Sequence, residues 1–73
     1  MFRCKFADVV IASAGYDALC ATLEIEFSGD GQIWQYAGVP EELWYRFRQE
    51  RVPEKFFHYH IKGCYEEKRV LPE

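Results

Sequence analysis

The side chains best suited to chemistry gather in the last third of the chain. His58, His60 and Cys64 are ligand- or nucleophile-type residues within one short stretch. On a helix His58 and His60 diverge and cannot chelate together. His60 and Cys64 would align, but Gly63 is a natural helix terminator between them. No Cys-x-x-Cys or His-x-x-x-His pair supports a metal centre, so neither a metal nor another cofactor is expected. His60 is expected to be part-buried beside Phe56 and Ile61. Cys64 stands near Lys62 and Lys68, yet nothing in the pattern holds a base against it as a nucleophile's partner would be held. Asp8, Asp17 and Asp30 lie near turn signals, where aspartate serves local hydrogen bonding. No Ser-His-Asp set, phosphate loop or catalytic carboxylate pair can be assembled. The chain is expected to bind rather than catalyse, with no catalytic residue assigned.

A second constellation is electrostatic. From Arg46 to Arg69 the chain interleaves Arg46, Arg48, Arg51, Lys55, His58, Lys62, Lys68 and Arg69 with Tyr45, Phe57, Tyr59 and Tyr65. Cations suit a phosphate backbone and aromatic faces suit unpaired bases. Arg46, Lys55, His58, Tyr59, Lys62, Tyr65 and Arg69 are therefore the candidate contacts to a nucleic acid or another partner. Glu50 and Glu54 lie at helical spacing from these arginines, so a solvated, self-screened helix face competes with that reading. Trp34 and Tyr36, two residues apart, form either a stacking platform or part of the core beneath a helix.

The elements that must carry these residues fit one small domain. The 73 residues are 49% hydrophobic and 18% aromatic. A chain this short buries only about 60% of its unfolded surface, so large aromatic side chains are needed to make its core. The net charge is −3. An acidic first half, with Asp8, Asp17, Glu24, Glu26 and Asp30, precedes the locally basic segment. Overall acidity disfavours indiscriminate nucleic-acid binding. No apolar run is long enough to span a bilayer and no signal-peptide pattern opens the chain. Three cysteines, Cys4, Cys20 and Cys64, are too few and too widely spaced for a disulfide framework. A cytoplasmic protein with reduced thiols and no membrane partner is the expectation.

The patterning predicts an α+β fold: a three-stranded antiparallel β-meander packed by a helix and a second short helix. The strands are expected over Val9–Tyr16, Leu23–Phe27 and Gln32–Ala37. Tyr16 to Ala21 is read as a short connection and Ser28-Gly29-Asp30-Gly31 as a tight turn. Leu23-Glu24-Ile25-Glu26-Phe27 alternates with period two, which places Glu24 and Glu26 on a wet face. Pro40, at a first helical position, starts a helix that runs through Gln49 with Glu41 and Glu42 in its first turn. Pro53 starts the second, through Lys62, with Gly63 just past its end. The tail from Cys64 to Glu73 is read as an edge strand or an ordered arm.

In this order the pieces resemble the KTSC domain family, over about residues 6 to 71. The resemblance is carried by Ile11-Ala12-Ser13-Ala14-Gly15-Tyr16-Asp17, by Leu23-Glu24-Ile25-Glu26-Phe27 with Gly31, by Trp34-Gln35-Tyr36 where the family has Tyr-x-Tyr, and by Val39-Pro40. It continues through Phe57, Ile61-Lys62-Gly63, Tyr65 and Arg69. Two places depart from it: Ala7 and Asp8 replace a serine pair, and Glu50-Arg51-Val52-Pro53-Glu54 replaces a small, flexible link. The family stands alone in bacterial and phage proteins or at the C-terminus of some lysyl-tRNA synthetases. The resemblance thus implies an RNA- or tRNA-associated binding module as the leading expectation. The alternative is a protein-interaction accessory that docks on and modulates a larger bacterial or phage partner. A third reading is a small-nucleotide binder at an oligomer interface.

Overall fold

The computed structural model describes the backbone of residues 3–5 and all of residues 10–70. The described residues form β1 (Arg3–Lys5), β2 (Ile11–Asp17), β3 (Thr22–Phe27), β4 (Ile33–Ala37), α1 (Glu41–Gln49), α2 (Pro53–His60) and β5 (Glu66–Val70). The strands make one antiparallel sheet in the order β1-β2-β3-β4-β5, with each strand beside its sequence neighbour. The expected meander is its centre, and the tail supplies the edge strand β5. The short β1 was not anticipated; it extends the sheet on the opposite edge. The expected Val9 start of the first strand, Asp8 and the residues after Val70 lie outside the described residues.

Both helices pack on one face of the sheet. Register puts Tyr16, Leu23 and Tyr36 in one row and Ile25 and Trp34 in the next. Ile11 opposes Phe27, and the register then slips by one between Ile11 and Ser13. This bulge lets Ile11 and Ala14, three apart, both face the helices and leaves Ser13 on the far side. Ile11, Ala14, Leu23, Ile25, Tyr36 and Val39 are buried with Trp44 and Phe47 of α1 and Phe56, Phe57 and Ile61 near α2. Tyr16 stacks on Trp44 at 5.9 Å between ring centroids. Its hydroxyl donates to the Val39 carbonyl at 2.6 Å, tying β2 to the approach of α1.

Several boundaries differ from the pattern reading. β2 continues through Tyr16 and Asp17, because their pairing with Leu23 and Thr22 continues the ladder up to a tight turn at residues 18–21. Pro40 is the N-cap, not the first helical residue; its extended ψ of 145° sends the chain into α1 one position later. α2 stops at His60: the N–H groups of Ile61 and Lys62 both bond the Phe57 carbonyl, and Gly63 takes φ +79°. Glu24, on the middle strand of five, is buried instead of lying on a wet face, whereas Glu26 is half-buried.

Among the described residues no helix is long and apolar enough to cross a membrane. Cys20 and Cys64 are exposed free thiols.

Candidate functional site

The basic-aromatic segment is dispersed by the fold. Arg46 lies over the Phe56 ring at 5.4 Å, on the flank where α1 meets α2. Lys55 and Tyr59 are on the outer side of α2, and Tyr59 is 73% exposed. Tyr65 is part-buried against the core. Arg69 is on edge strand β5, registered opposite Trp34. His60 is exposed, not part-buried, because its ring rides over Phe56 at 4.6 Å instead of entering the core. Among the described residues no three His, Cys, Asp or Glu side chains group as metal ligands would.

Four of the predicted residues do meet. Trp34, Tyr36, His58 and Lys62 line a cleft of about 490 Å³ between α2 and the sheet. That volume lies within the range of small-ligand sites, roughly 300–1,000 Å³. α2 supplies Glu54 and His58 at i and i+4, and Lys62 follows at the same interval just beyond the helix end. The β3–β4 hairpin supplies Phe27, Asp30 and Gln32, β4 supplies Trp34 and Tyr36, and β5 supplies Glu67.

The hairpin is well determined locally. Phe27 N–H donates to the Gln32 carbonyl at 2.9 Å, and Gly31 N–H to the Phe27 carbonyl at 3.1 Å. Gly31 takes φ +71°, a conformation that glycine adopts without penalty. The Gln32 N–H then donates to Asp30 Oδ1 at 3.0 Å, which orients that carboxylate. Trp34 is half-buried, and its indole Nε1–H donates to Gln32 Oε1 at 3.1 Å. The polar edge of the indole is thus already satisfied within the protein.

Tyr36 cannot stack on a ligand. It is 2% exposed and meets Phe57 edge-to-face at 5.5 Å. A residue two along from Trp34 shares its face, but lies one step deeper beneath α2. Burial raises the Tyr36 pKa well above the ordinary phenol value, and the charge of Glu67 and its hydrogen bond with the phenol raise it further. The phenol therefore stays protonated beside Glu67, its cross-strand neighbour at the cleft.

Glu54, Glu67 and Asp30 were not among the predicted site residues. Glu54 was legible as the i−4 neighbour of His58, and Glu67 as the residue two before Arg69 on the same strand face. Their meeting across the cleft depends on how α2 lies over the sheet. With them the cleft has an aromatic floor and three carboxylates against one lysine ammonium.

Such a fold defines a small α+β domain: a meander covered on one face by two helices, with a single-sided cleft beneath the second. The KTSC domain family model matches residues 8–65, so the chain belongs to the KTSC domain family. It is similar over 96% of its length to a KTSC domain protein from Yersinia pestis, at 33% identity. The crystal structure of that protein superposes with a TM-score of 0.91 over 97% of its own chain. A search of curated proteins finds no match to this sequence.

Proposed function

We propose that this chain is a binding module that docks on a protein partner through the cleft between α2 and the sheet. The observation that carries the reading is the make-up of that cleft. Val10, Phe27, Trp34, Tyr36 and Phe57 give it apolar and aromatic walls, while Asp30, Glu54 and Glu67 outnumber Lys62. Aromatic, partly desolvated hollows anchor protein partners. Phosphates are repelled by carboxylates and need several gathered cations. Here Arg46 and Lys55 lie away from the cleft, Lys62 lines it, and Arg69 is registered opposite its residue Trp34, so the cations are not gathered into one patch.

RNA remains the second reading, and one observation favours it: the exposed outer side of α2 offers Lys55 and the Tyr59 ring, close to His58. Phosphate contact with stacking would use that side and leave the cleft empty.

Site-specific photo-crosslinking separates the two. A benzophenone amino acid is placed at His58 in one variant and at Lys55 in another, and each is irradiated in cell lysate with or without ribonuclease. Docking predicts a discrete protein adduct from position 58 that survives ribonuclease. A nuclease-sensitive adduct from position 55, with oligonucleotide affinity that falls steeply with salt, overturns docking in favour of RNA.

A further inference from the structure

We propose that the cleft is a receptor for one basic side chain, an arginine guanidinium or a lysine ammonium presented by the docked protein. This rests on the docking reading above and supplies its recognition chemistry. Charge complementarity is the first argument. Among the groups lining the cleft, Asp30, Glu54 and Glu67 are acidic residues and Lys62 is the one lysine or arginine. The excess favours an inserted cation and opposes a carboxylate or phosphate.

The walls make the second argument. Phe27, Trp34 and Phe57 present aromatic surface to the same space. Trp34 has already used its only polar hydrogen on Gln32, so what it offers a ligand is its ring. An aromatic face beside carboxylates is the environment that holds a guanidinium or ammonium by cation–π attraction and ionic hydrogen bonds together. The molecule uses the same device elsewhere: Arg48 lies over the Trp44 ring at 5.5 Å.

The third argument is preorganisation. Glu67 is set by strand pairing directly opposite Tyr36, whose ring is buried in the core. Asp30 is held by the Gln32 N–H, within the hairpin turn itself. Two of the three counter-charges are therefore placed before a ligand arrives, which lowers the ordering cost of binding. At about 490 Å³ the cleft has room for a long side chain and its flanking backbone.

The test uses three capped pentapeptides, Gly-Leu-X-Leu-Gly, in which X is arginine, citrulline or glutamate. Citrulline keeps the shape of arginine and loses its charge. Binding is followed by amide and indole resonances of the full chain, read at Trp34, Phe57 and Glu67. The arginine peptide should shift these signals saturably and bind about tenfold more tightly than the citrulline peptide; the glutamate peptide should be weakest. Joint E54Q and E67Q substitution should erase the arginine advantage while leaving citrulline binding nearly unchanged. Both glutamines keep an acceptor, and a native spectrum confirms that the variant folds. Equal binding of arginine and citrulline peptides overturns the cation receptor and leaves protein docking standing. No shift at the cleft with any peptide also overturns it. A cleft shift produced instead by single-stranded oligouridylate, and abolished by salt, overturns both the receptor and the docking reading.

Discussion

Phe57 is the residue on which the cleft and the core both depend, and shortening it tests the packing directly. Its ring lies at 5.5 Å from Phe27 and 5.5 Å from Tyr36, edge-on to both, and it is 7% exposed. Replacement by alanine removes a buried aromatic ring, a loss of about 3–5 kcal/mol. At about 0.05–0.15 kcal/mol per residue, 73 residues provide roughly 4–11 kcal/mol in all. Phe57→Ala therefore takes about a quarter or more of the total. Phe57→Leu is more informative. It fills most of the space but gives up two edge-to-face pairs, each worth about 0.5–1.5 kcal/mol beyond burial, for a loss of about 1–3 kcal/mol. Each kcal/mol lowers the melting temperature of a domain of this size by about 4–8 °C. The measurement is thermal and urea unfolding followed by circular dichroism, with His58→Ala as the exposed neighbour, expected to lie within about 0.5 kcal/mol of the parent. A cycle with Phe27→Leu isolates one pair and should return a coupling of about 0.5–1.5 kcal/mol. If Phe57→Leu costs no more than His58→Ala, or the cycle shows no coupling, the packing of α2 on the sheet is wrong, and so is the cleft built from it.

Three further outcomes follow from single atoms. The unfolded Tyr36 ionises near its ordinary value of 10.0, while the folded residue resists ionisation because of its burial and Glu67. The native state then holds a proton that the unfolded state has lost, so stability falls as pH rises above about 10; urea titrations from pH 8 to 11 should show a shallower fall for Tyr36→Phe. Tyr16→Phe keeps the stack on Trp44 but leaves the Val39 carbonyl without its 2.6 Å donor, a cost of about 1 kcal/mol by urea unfolding. Gly38 has φ +74° with open space around a would-be Cβ, so Gly38→Ala should cost about 1–2 kcal/mol from backbone strain alone. Gly29, equally open and not at positive φ, should tolerate alanine without loss.

Charge is arranged differently along the chain and in space. Along the chain, Arg46 to Arg69 looks like one basic stretch. In the fold it is cut into the α1–α2 flank, the outer side of α2, the cleft and the sheet edge. The acidic residues have the opposite history. Asp30, Glu54 and Glu67 are far apart in sequence and meet around one hollow. A sequence window averages charge over neighbours in the chain, whereas a ligand experiences neighbours in space.

Much of the architecture was legible in local pattern. The period-two run from Leu23 to Phe27, the glycine turn at 28–31, the two Pro-Glu helix starts and Gly63 each impose a backbone geometry within a few residues. Those elements stand within one or two residues of their expected bounds. Ile61 was legible beside Phe56 on one helical face, whereas Phe57, read among the aromatics interleaved with the cations, is buried in the core. What the pattern missed was long-range. The bulge at the start of β2 exists because Ile11 must face the helices while Ser13 faces away, and only pairing with β3 reveals this. Arg3–Lys5 is too short to announce a strand alone; it is one because β2 has a free edge to offer it. Glu24, read onto a wet face, is buried on the middle strand of the sheet.

The sequence by itself determined which segments become strands and helices, because dihedral preference and apolar spacing act between near neighbours. It also carried the family, whose signature is an ordered set of such local features. Only the tertiary structure decided the roles of the aromatic pair and the charges. Trp34 and Tyr36 point the same way, yet Trp34 is left half-open at the cleft while Tyr36, deep in its wall, is almost sealed against Phe57. The difference is where α2 ends its coverage of the sheet, a distance set by core packing between residues far apart in the chain.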